Sequence, residues 1–465
     1  MQELLNKEMN ISRKIKSILK SKFDLINNEK LKNNLLNAFP YWLGAIITGI
    51  VSVFYAKLFL LAEAGTKFIF ERASWSFLII TPVCFVLAWK IIDRYAPFSR
   101  GSGIPQVTAA IELSTPKTNH KVKSLLSLRI IFTKIFSSLI MVFGGGVIGR
   151  EGPTIQISAS IFKTIGDYLP AWYPKISRRN MIVTGAAAGL AAAFNTPLGG
   201  IVFALEELTK THFSYFKSAL LTGVIISGLT ALNFLGPYLY LGYPTLDLIT
   251  PWVIVAIIPL SILAGISGIT MSKVLLYFLK IKRNLKKNYL KIIYIVICGL
   301  IISGLAILVD FRTFGSGKDI MVSTLFSDQK KIEWYIPFLR MVGPVFSFSA
   351  GAAGGIFAPS LSAGATIGAV LAEWFHLSNP ETNLIILCGM TGFLTSITRS
   401  PFTSSILVLE MTNSHNVIFY IMLTALFSNL VAVSLSRRSL YEHLKEQYLS
   451  EIDSMEEEKP FSKSI

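Results

Sequence analysis

The chain has 465 residues, of which 52% are hydrophobic and only 15% are charged. This balance excludes an ordinary soluble domain, in which about a quarter of the residues carry charge, and predicts a membrane protein that crosses the bilayer several times. The formal net charge of +17 does not indicate nucleic-acid binding, because the basic residues flank apolar segments, as in KIKRNLKKNYLK at 280–291 and the Arg437-Arg438 pair.

Apolar windows long enough to cross or half-cross a membrane follow one another from residue 38 onwards. We expect helices over 38–62, 75–92, 128–148, 181–208, 216–236, 251–278, 292–310, 335–350, 355–375, 383–398 and 401–434. Residues 1–37 are basic and lack the short apolar core of a signal peptide, which predicts a cytoplasmic N-terminal segment. The positive-inside rule then predicts that the N-terminus, a loop at 280–291 and the C-terminus all face the cytoplasm.

The cysteines indicate neither disulfides nor a metal cluster. Cys84, Cys298 and Cys388 stand singly inside apolar runs, so we expect them to be small buried hydrophobic side chains. No metal site and no cofactor are expected.

Two stretches of the chain match each other at an offset of 204 residues. TGAAAGLAAAFNTPLGGIVFALEE at 184–207 aligns without a gap on CGMTGFLTSITRSPFTSSILVLEM at 388–411. The alignment pairs Gly185 with Gly389, Pro197 with Pro401 and Glu206 with Glu410. GREGP at 149–153 likewise matches GIFAP at 355–359, and GSG occurs at both 101–103 and 315–317.

Duplicated halves with glycine- and proline-interrupted helices are typical of transporters whose site lies between the halves. We expect a first membrane repeat at 38–236, a second at 237–441 and a short cytoplasmic tail at 442–465. The letters alone do not say whether the repeats run parallel or antiparallel. The alternative is that small-residue packing motifs simply recur in membrane helices, but this does not explain the shared proline-to-glutamate spacing.

GSGIP (101–105), GREGP (149–153) and GIFAP (355–359) share a pattern of glycine followed by proline before an apolar run. Proline suits the first turn of a helix, and glycine lets another group approach the backbone closely. Each motif therefore predicts a helix N-terminus with unpaired N–H groups, and several converging N-termini would attract an anion without a fixed cation. A single motif of this kind more often marks a kink or a tight helix crossing, but three in one chain favour the anion site.

These three motifs, extended as GREGPTIQ, and Tyr441 after the last apolar helix resemble the CLC chloride channel and transporter family, from about residue 38 to 445. The resemblance implies an all-α polytopic fold of two inverted helical repeats with short, tilted and broken helices. It also implies a homodimer with one pathway per subunit. Chloride would be held by the hydroxyls of Ser102 and Tyr441 and by the N–H groups of Ile356 and Phe357. The supporting residues of these motifs are Gly101, Gly103, Gly149, Arg150 and Gly355.

Two glutamates carry the transport hypothesis. Glu151 stands at a predicted helix start, so the N–H groups that attract chloride would also attract its carboxylate, which would leave once protonated. The resemblance assigns to Glu151 the roles of gate and proton carrier; the alternative is a structural ion pair with Arg150. Glu206 and Glu410 match across the repeat, which predicts a shared structural role at helix ends. Glu207 has no counterpart, and the resemblance makes it the internal proton-transfer residue, the alternative being an ordinary interfacial carboxylate.

The predicted function is exchange of chloride for protons across the lipid bilayer, without a role for nucleic acid. The alternative is a passive voltage- or pH-gated chloride channel of the same fold, which we expect to lack one of the two glutamates. An intramembrane enzyme is disfavoured because HExxH, GxSxG and a close aspartate pair are absent from the sequence. By resemblance, Ser102 indicates chloride rather than nitrate. Only 24 residues follow Tyr441, too few for the paired regulatory domains of many eukaryotic relatives, so a bacterial inner membrane is expected.

Overall fold

The computed structural model describes residues 21, 24, 27–209, 217–236, 240–247, 249–327 and 330–457. Within these ranges the chain is nearly all helical, and the extended pairings are two isolated bridges, Gly101 with Ala353 and Gly149 with Gly355. Residues 1–20 and 458–465 lie outside the described ranges, so the cytoplasmic placement of the two ends stays a prediction.

The helices of the first half are α1 Glu29–Ala73, α2 Phe77–Tyr95, α3 Ile104–Glu112, α4 Val122–Leu125, α5 Leu128–Phe143, α6 Glu151–Tyr168, α7 Arg178–Phe194, α8 Pro197–Phe203 and α9 Lys217–Leu235. Those of the second half are α10 Ile254–Asn284, α11 Asn288–Leu308, α12 Lys318–Phe326, α13 Ile336–Ser349, α14 Phe357–Trp374, α15 Asn379–Thr398, α16 Pro401–Thr412, α17 Ile418–Leu435 and α18 Leu440–Glu457. A π-helical turn, Ala204–Leu208, follows α8. Short 3₁₀ turns lie at Ser74–Ser76, Pro97–Ser99, Asn119–Lys121, Pro251–Val253, Phe311–Thr313 and His415–Val417.

Membrane-spanning length is reached by six helical segments within the described ranges. They are Glu29–Tyr95, Asn119–Phe143, Ser218–Leu235, Pro251–Asn284, Asn288–Leu308 and His415–Leu435. Their outer faces expose apolar side chains such as Leu308 and Phe419, as expected of surfaces that contact lipid. Cys84, Cys298 and Cys388 are buried free thiols, as predicted. The chain is therefore an integral membrane protein with several spans.

Two predicted windows are not single helices. The window 181–208 breaks at Asn195, which adopts a left-handed conformation (φ 58°), before α8 restarts at Pro197. The window 401–434 breaks at Asn413 (φ 50°), between α16 and α17. Asparagine tolerates the left-handed region and ends helices there, a local preference that the apolar composition of these windows concealed.

The two halves repeat the same helix order and the same helix ends. Helices α6, α7 and α8 correspond to α14, α15 and α16; α6 packs on α7 just as α14 packs on α15, and α8 contacts α16. Asn195 and Arg399, 204 residues apart, both have positive φ (58° and 67°), and each lies two residues before a helix-starting proline. This backbone agreement supports the duplication read from the sequence.

The basic segment 280–291 differs from the predicted loop. Helix α10 continues to Asn284 and α11 begins at Asn288, which leaves only a three-residue turn. Lysine and arginine are good helix formers and are favourable at a helix C-terminus, so a basic run between apolar helices need not be a loop.

The predicted tail at 442–465 is helical as far as residue 457, in α18. This helix is joined to the first half by ion pairs, Lys445 to Glu112 at 2.9 Å and Lys121 to Asp453 at 2.8 Å. Tyr441 lies in the first turn of α18.

Candidate functional site

Three predicted helix starts are joined by backbone hydrogen bonds. The N–H of Gly101 donates to the Ala352 carbonyl at 2.8 Å, and the Gly354 N–H donates to the Gly101 carbonyl at 3.1 Å. Gly149 and Gly355 exchange both bonds, at 2.8 and 2.7 Å. These pairings bring together the N-termini of α3, α6 and α14, which begin in the GSGIP, GREGP and GIFAP motifs. The first N–H groups of a helix have no partner within it, so the junction is rich in N–H groups.

Close approach at this junction depends on glycine. A Cβ on Gly152 would collide with the Ser102 hydroxyl, and one on Gly355 would lie 3.0 Å from the Gly149 carbonyl oxygen. Gly103 has φ 105°, and a Cβ there would lie 2.8 Å from the Cβ of Gln156. Larger residues would therefore push the three helix ends apart.

Ser102 and Tyr441 contribute buried hydroxyl groups to the junction. Ser102 is 1% exposed and Tyr441 is 2% exposed, and neither hydroxyl makes a hydrogen bond within the usual distance and angle limits to a described residue. The Tyr441 ring packs beside the Phe357 ring, with the centroids 6.1 Å apart, and its hydroxyl lies near Ser102. Buried hydroxyls almost always have a hydrogen-bond partner. Two buried hydroxyls that lack one therefore indicate a binding site for a small polar ligand.

Lys134, which the sequence reasoning did not single out, fixes the loop that carries Ser102. Its buried amine donates to the carbonyls of Ser99 at 3.0 Å and Gly101 at 2.9 Å and to the side-chain oxygen of Gln156 at 2.7 Å. The available signal was a lone lysine within the apolar window 128–148, because charged residues inside a membrane segment are usually functional.

Glu151 is the first residue of α6 and is 1% exposed. Its Oε1 accepts a hydrogen bond from the Tyr240 hydroxyl at 3.1 Å, and its Oε2 has no hydrogen-bond partner among the described residues. A Cβ on Gly149 would contact this carboxylate and lie 3.3 Å from the Ala358 amide nitrogen. The carboxylate therefore lies near Ala358, in the first turn of α14.

Glu207 lies in the π-helical turn after α8. Its carboxylate accepts a hydrogen bond from the Ser400 hydroxyl at 2.7 Å. A cavity of about 230 Å³, which we call the Glu207 cavity, is lined by Glu207 and Tyr441 together with Arg179, Glu112 and Lys445. Tyr441 thus borders both the junction and the cavity that Glu207 lines.

Glu206 and Glu410 have the shared structural role that the repeat predicted. The Glu410 carboxylate accepts the N–H groups of residues 198 and 199, at 3.0 and 2.6 Å, in the first turn of α8. The Glu206 carboxylate accepts those of residues 402 and 403, at 3.2 and 2.7 Å, in the first turn of α16. Each half therefore caps a helix of the other half, which confirms the prediction.

A second cavity, of about 470 Å³, is lined by Glu63, Lys318 and Asp319, and we call it the Glu63 cavity. The Glu63 carboxylate accepts the N–H of Ser316 at 2.8 Å, in the second GSG sequence. The Leu36 carbonyl in α1 accepts a hydrogen bond from the Tyr173 hydroxyl. Tyr173 precedes Arg179, which lines the Glu207 cavity, by six residues. Glu63 lies 27 residues further along α1, a rise of about 40 Å. The two cavities therefore lie toward opposite ends of α1.

The structure places Ser102 beside Gly152 of α6, and Tyr441 near Ser102 and beside the Phe357 ring. The Glu151 carboxylate lies near the first turn of α14, and Glu207 lines a cavity together with Tyr441. Tyr240 was missed, since it lies in an irregular segment without a motif.

Comparison with known proteins identifies the family. The family model for voltage gated chloride channels matches residues 84–433. The chain belongs to this family.

Three solved structures resemble it. A slow cyanobacterial Cl⁻/H⁺ antiporter has a TM-score of 0.79 and 24% identity, covering 89% of this chain and 98% of that one. A CLC-type fluoride/proton antiporter has a TM-score of 0.74 and 22% identity, covering 89% and 98%. A eukaryotic CLC transporter has a TM-score of 0.70 and 19% identity, covering 88% and 74%. The predicted all-α polytopic fold of two inverted helical repeats is thereby confirmed, and the chain is a member of a family of transport proteins rather than of enzymes.

Proposed function

We propose that this protein exchanges chloride for protons across the membrane. The observation that carries the proposal is the pair of buried, unpartnered hydroxyls, Ser102 and Tyr441, beside joined helix N-termini and a buried carboxylate, Glu151. Chloride would accept hydrogen bonds from these two hydroxyls and from the N–H groups of Ile356 and Phe357. Hydroxyl and amide dipoles suit a halide that must also be released, because a fixed cation would hold it too tightly.

Glu151 is the proposed gate. Its carboxylate lies beside the start of α14, where it competes with chloride for the same N–H groups. Protonation removes the negative charge and hence the attraction, so the side chain leaves the path with its proton and chloride passes. Chloride and the ionised Glu151 carboxylate therefore occupy the same site in turn, and this alternation couples chloride passage to proton movement.

Glu207 is the proposed proton acceptor on the other side of Tyr441. It lines the Glu207 cavity, as does Tyr441, so a proton taken up there has a water-accessible start toward Glu151. The last part of the route, past the Tyr441 hydroxyl, is assigned to a transient water chain, because no described side chain donates to both carboxylates.

The remaining features of the proposal concern selectivity and setting. Ser102 favours chloride over nitrate. The protein works as a homodimer with one pathway per subunit, and it needs no resident cofactor because chloride itself is the bound substrate. It lies in a bacterial inner membrane. The N-terminus, the basic segment 280–291 and α18 are on the cytoplasmic side, as the basic residues that flank the apolar helices indicate.

Proteoliposomes with a chloride gradient provide the test. We expect the parent protein to drive protons uphill. Glu207→Gln should abolish proton movement and retain chloride flux, and Glu151→Gln should abolish proton movement and make chloride flux independent of pH. Glu112→Gln is the matched control, because Glu112 lines the Glu207 cavity but pairs with Lys445, and coupling should be unchanged.

Chloride flux without proton movement in the parent would favour the passive voltage- or pH-gated channel instead. Loss of coupling in Glu112→Gln as well as in Glu207→Gln would show that any charge change in this cavity uncouples transport, and would remove the specific role of Glu207.

A further inference from the structure

Tyr240 makes a direct contact with the proposed gate. Its side chain is 3% exposed, and its hydroxyl donates to Glu151 Oε1 at 3.1 Å. Among the described residues, no other side chain has a hydrogen bond to this carboxylate that meets the usual distance and angle limits. The contact joins residues 89 positions apart, so the tertiary fold alone creates it.

The phenol ring is held on several sides. The Phe194 ring packs edge-on against it, with centroids 5.1 Å apart and planes at 79°. The Lys318 ammonium lies 4.6 Å from the ring centroid, and Lys318 also lines the Glu63 cavity. The next residue, Leu241, donates its N–H to the Met411 carbonyl at 3.1 Å. The hydroxyl is therefore presented to Glu151 from a fixed position.

We propose that Tyr240 is a positioning residue that holds ionised Glu151 in the blocking position and thereby sets the pH at which the pathway opens. The proposal rests on the proposed function, because it takes Glu151 as the gate.

The physical reason is the difference between the two forms of the glutamate. A hydroxyl donated to an ionised carboxylate is a charge-assisted hydrogen bond, about twice as strong as one between neutral groups. Protonation of Glu151 weakens this bond at the same time as it removes the attraction of the helix ends. The Lys318 cation over the ring makes the phenol a stronger donor, which adds to the effect.

Other ionisable groups lie near Glu151, and replacement of Tyr240 by phenylalanine leaves all of them in place. Those within electrostatic range are Arg150 before α6, Glu63 and Tyr55 from α1, Lys318 from α12 and Tyr441 from α18.

Tyr240→Phe tests the proposal, because it removes the hydroxyl and keeps the ring against Phe194 and Lys318. Chloride flux is measured as a function of pH in proteoliposomes. Without the donor, ionised Glu151 is less stable and takes up a proton at higher pH. The pH at which chloride flux is half-maximal should therefore rise by about one unit. A loss of packing alone would lower the flux at every pH without moving the midpoint, and that result would overturn the proposal.

Tyr55→Phe is the matched control. Tyr55 is fully buried and within electrostatic range of Glu151, but its hydroxyl pairs with Ser138 at 2.7 Å. The pH of half-maximal flux in Tyr55→Phe should equal that of the parent protein. An equal shift in Tyr55→Phe and Tyr240→Phe would overturn the specific role of Tyr240.

The Glu151→Gln background separates this proposal from the proposed function. If flux in Glu151→Gln stays pH-dependent, then the gate assignment itself fails. If chloride flux in Glu151→Gln is pH-independent, then adding Tyr240→Phe should change the chloride rate by no more than about twofold, or about 0.4 kcal/mol, because the carboxylate on which Tyr240 acts is already gone. A tenfold or greater loss there would show that Tyr240 acts on the pathway independently of Glu151.

Discussion

Replacing Tyr441 by phenylalanine removes one of the two unpartnered hydroxyls and leaves the ring contact with Phe357, whose centroid lies 6.1 Å away. A hydrogen bond to a charged group contributes about 1.5–3 kcal/mol, and about 1.4 kcal/mol corresponds to a tenfold change in affinity. We therefore expect chloride to bind about 10- to 150-fold more weakly, because the ion loses one of its two hydroxyl donors.

Two measurements report this change. Isothermal titration calorimetry of the purified protein gives the chloride Kd directly. Chloride also raises thermal stability, by an amount that grows with the logarithm of its concentration relative to the Kd: at 100 times the Kd the gain is about 2.7 kcal/mol, and a tenfold weaker site reduces it to about 1.4 kcal/mol. The chloride-dependent rise in Tm should accordingly fall to about half in Tyr441→Phe.

Tyr448→Phe is the matched control, since Tyr448 is a buried tyrosine of the same helix whose hydroxyl lies 3.4 Å from the Arg100 carbonyl oxygen. Its Kd should remain within about twofold of the parent value, a difference of about 0.4 kcal/mol. An unchanged Kd in Tyr441→Phe, or equal weakening in both variants, would refute the reasoning that an orphaned hydroxyl marks the anion seat.

Three further changes test the framework that holds the site. Glu410→Gln removes a carboxylate cap shared between the halves and should lower the free energy of unfolding by about 1–2 kcal/mol, measured as a lower Tm in detergent; an unchanged Tm would refute the cap. Lys134→Met leaves the buried Ser99 carbonyl and the Gln156 side-chain oxygen unpaired and should both lower the Tm and weaken chloride binding; parent-like binding would remove its role at the loop. Gly317→Ala places a Cβ at φ 86° against neighbouring side chains and should destabilise by at least about 1 kcal/mol, whereas Gly304→Ala, with open space around it in α11, should not.

The fold was predictable because its signals are local. Apolar windows of spanning length gave the membrane class, and Gly-Pro motifs marked the starts of α3, α6 and α14. The breaks at Asn195 and Asn413 were not predicted, since a single left-handed residue hardly alters the hydropathy of a window. The helical course of 280–291 was missed for a related reason, because the hydrophobic pattern ends before the helix does.

The site divides in the same way. Ser102, Glu151, Glu207 and Tyr441 stand in or next to motifs, so the sequence points to them. Lys134, Tyr240 and Glu63 do not, and each acts through a partner far along the chain: a Ser99 carbonyl, a Glu151 oxygen, a Ser316 amide.

By itself, the sequence determined which residues begin helices, which half-chains match and which acids stand at helix ends, because these depend on backbone preferences over a few residues. Only the tertiary structure decided that three helix starts meet, that Glu206 and Glu410 cap each other's halves, and that a tyrosine hydroxyl lies on the gate. Such contacts depend on how helices cross in space, and a hydrogen bond forms only when that crossing brings donor and acceptor to within about 3 Å.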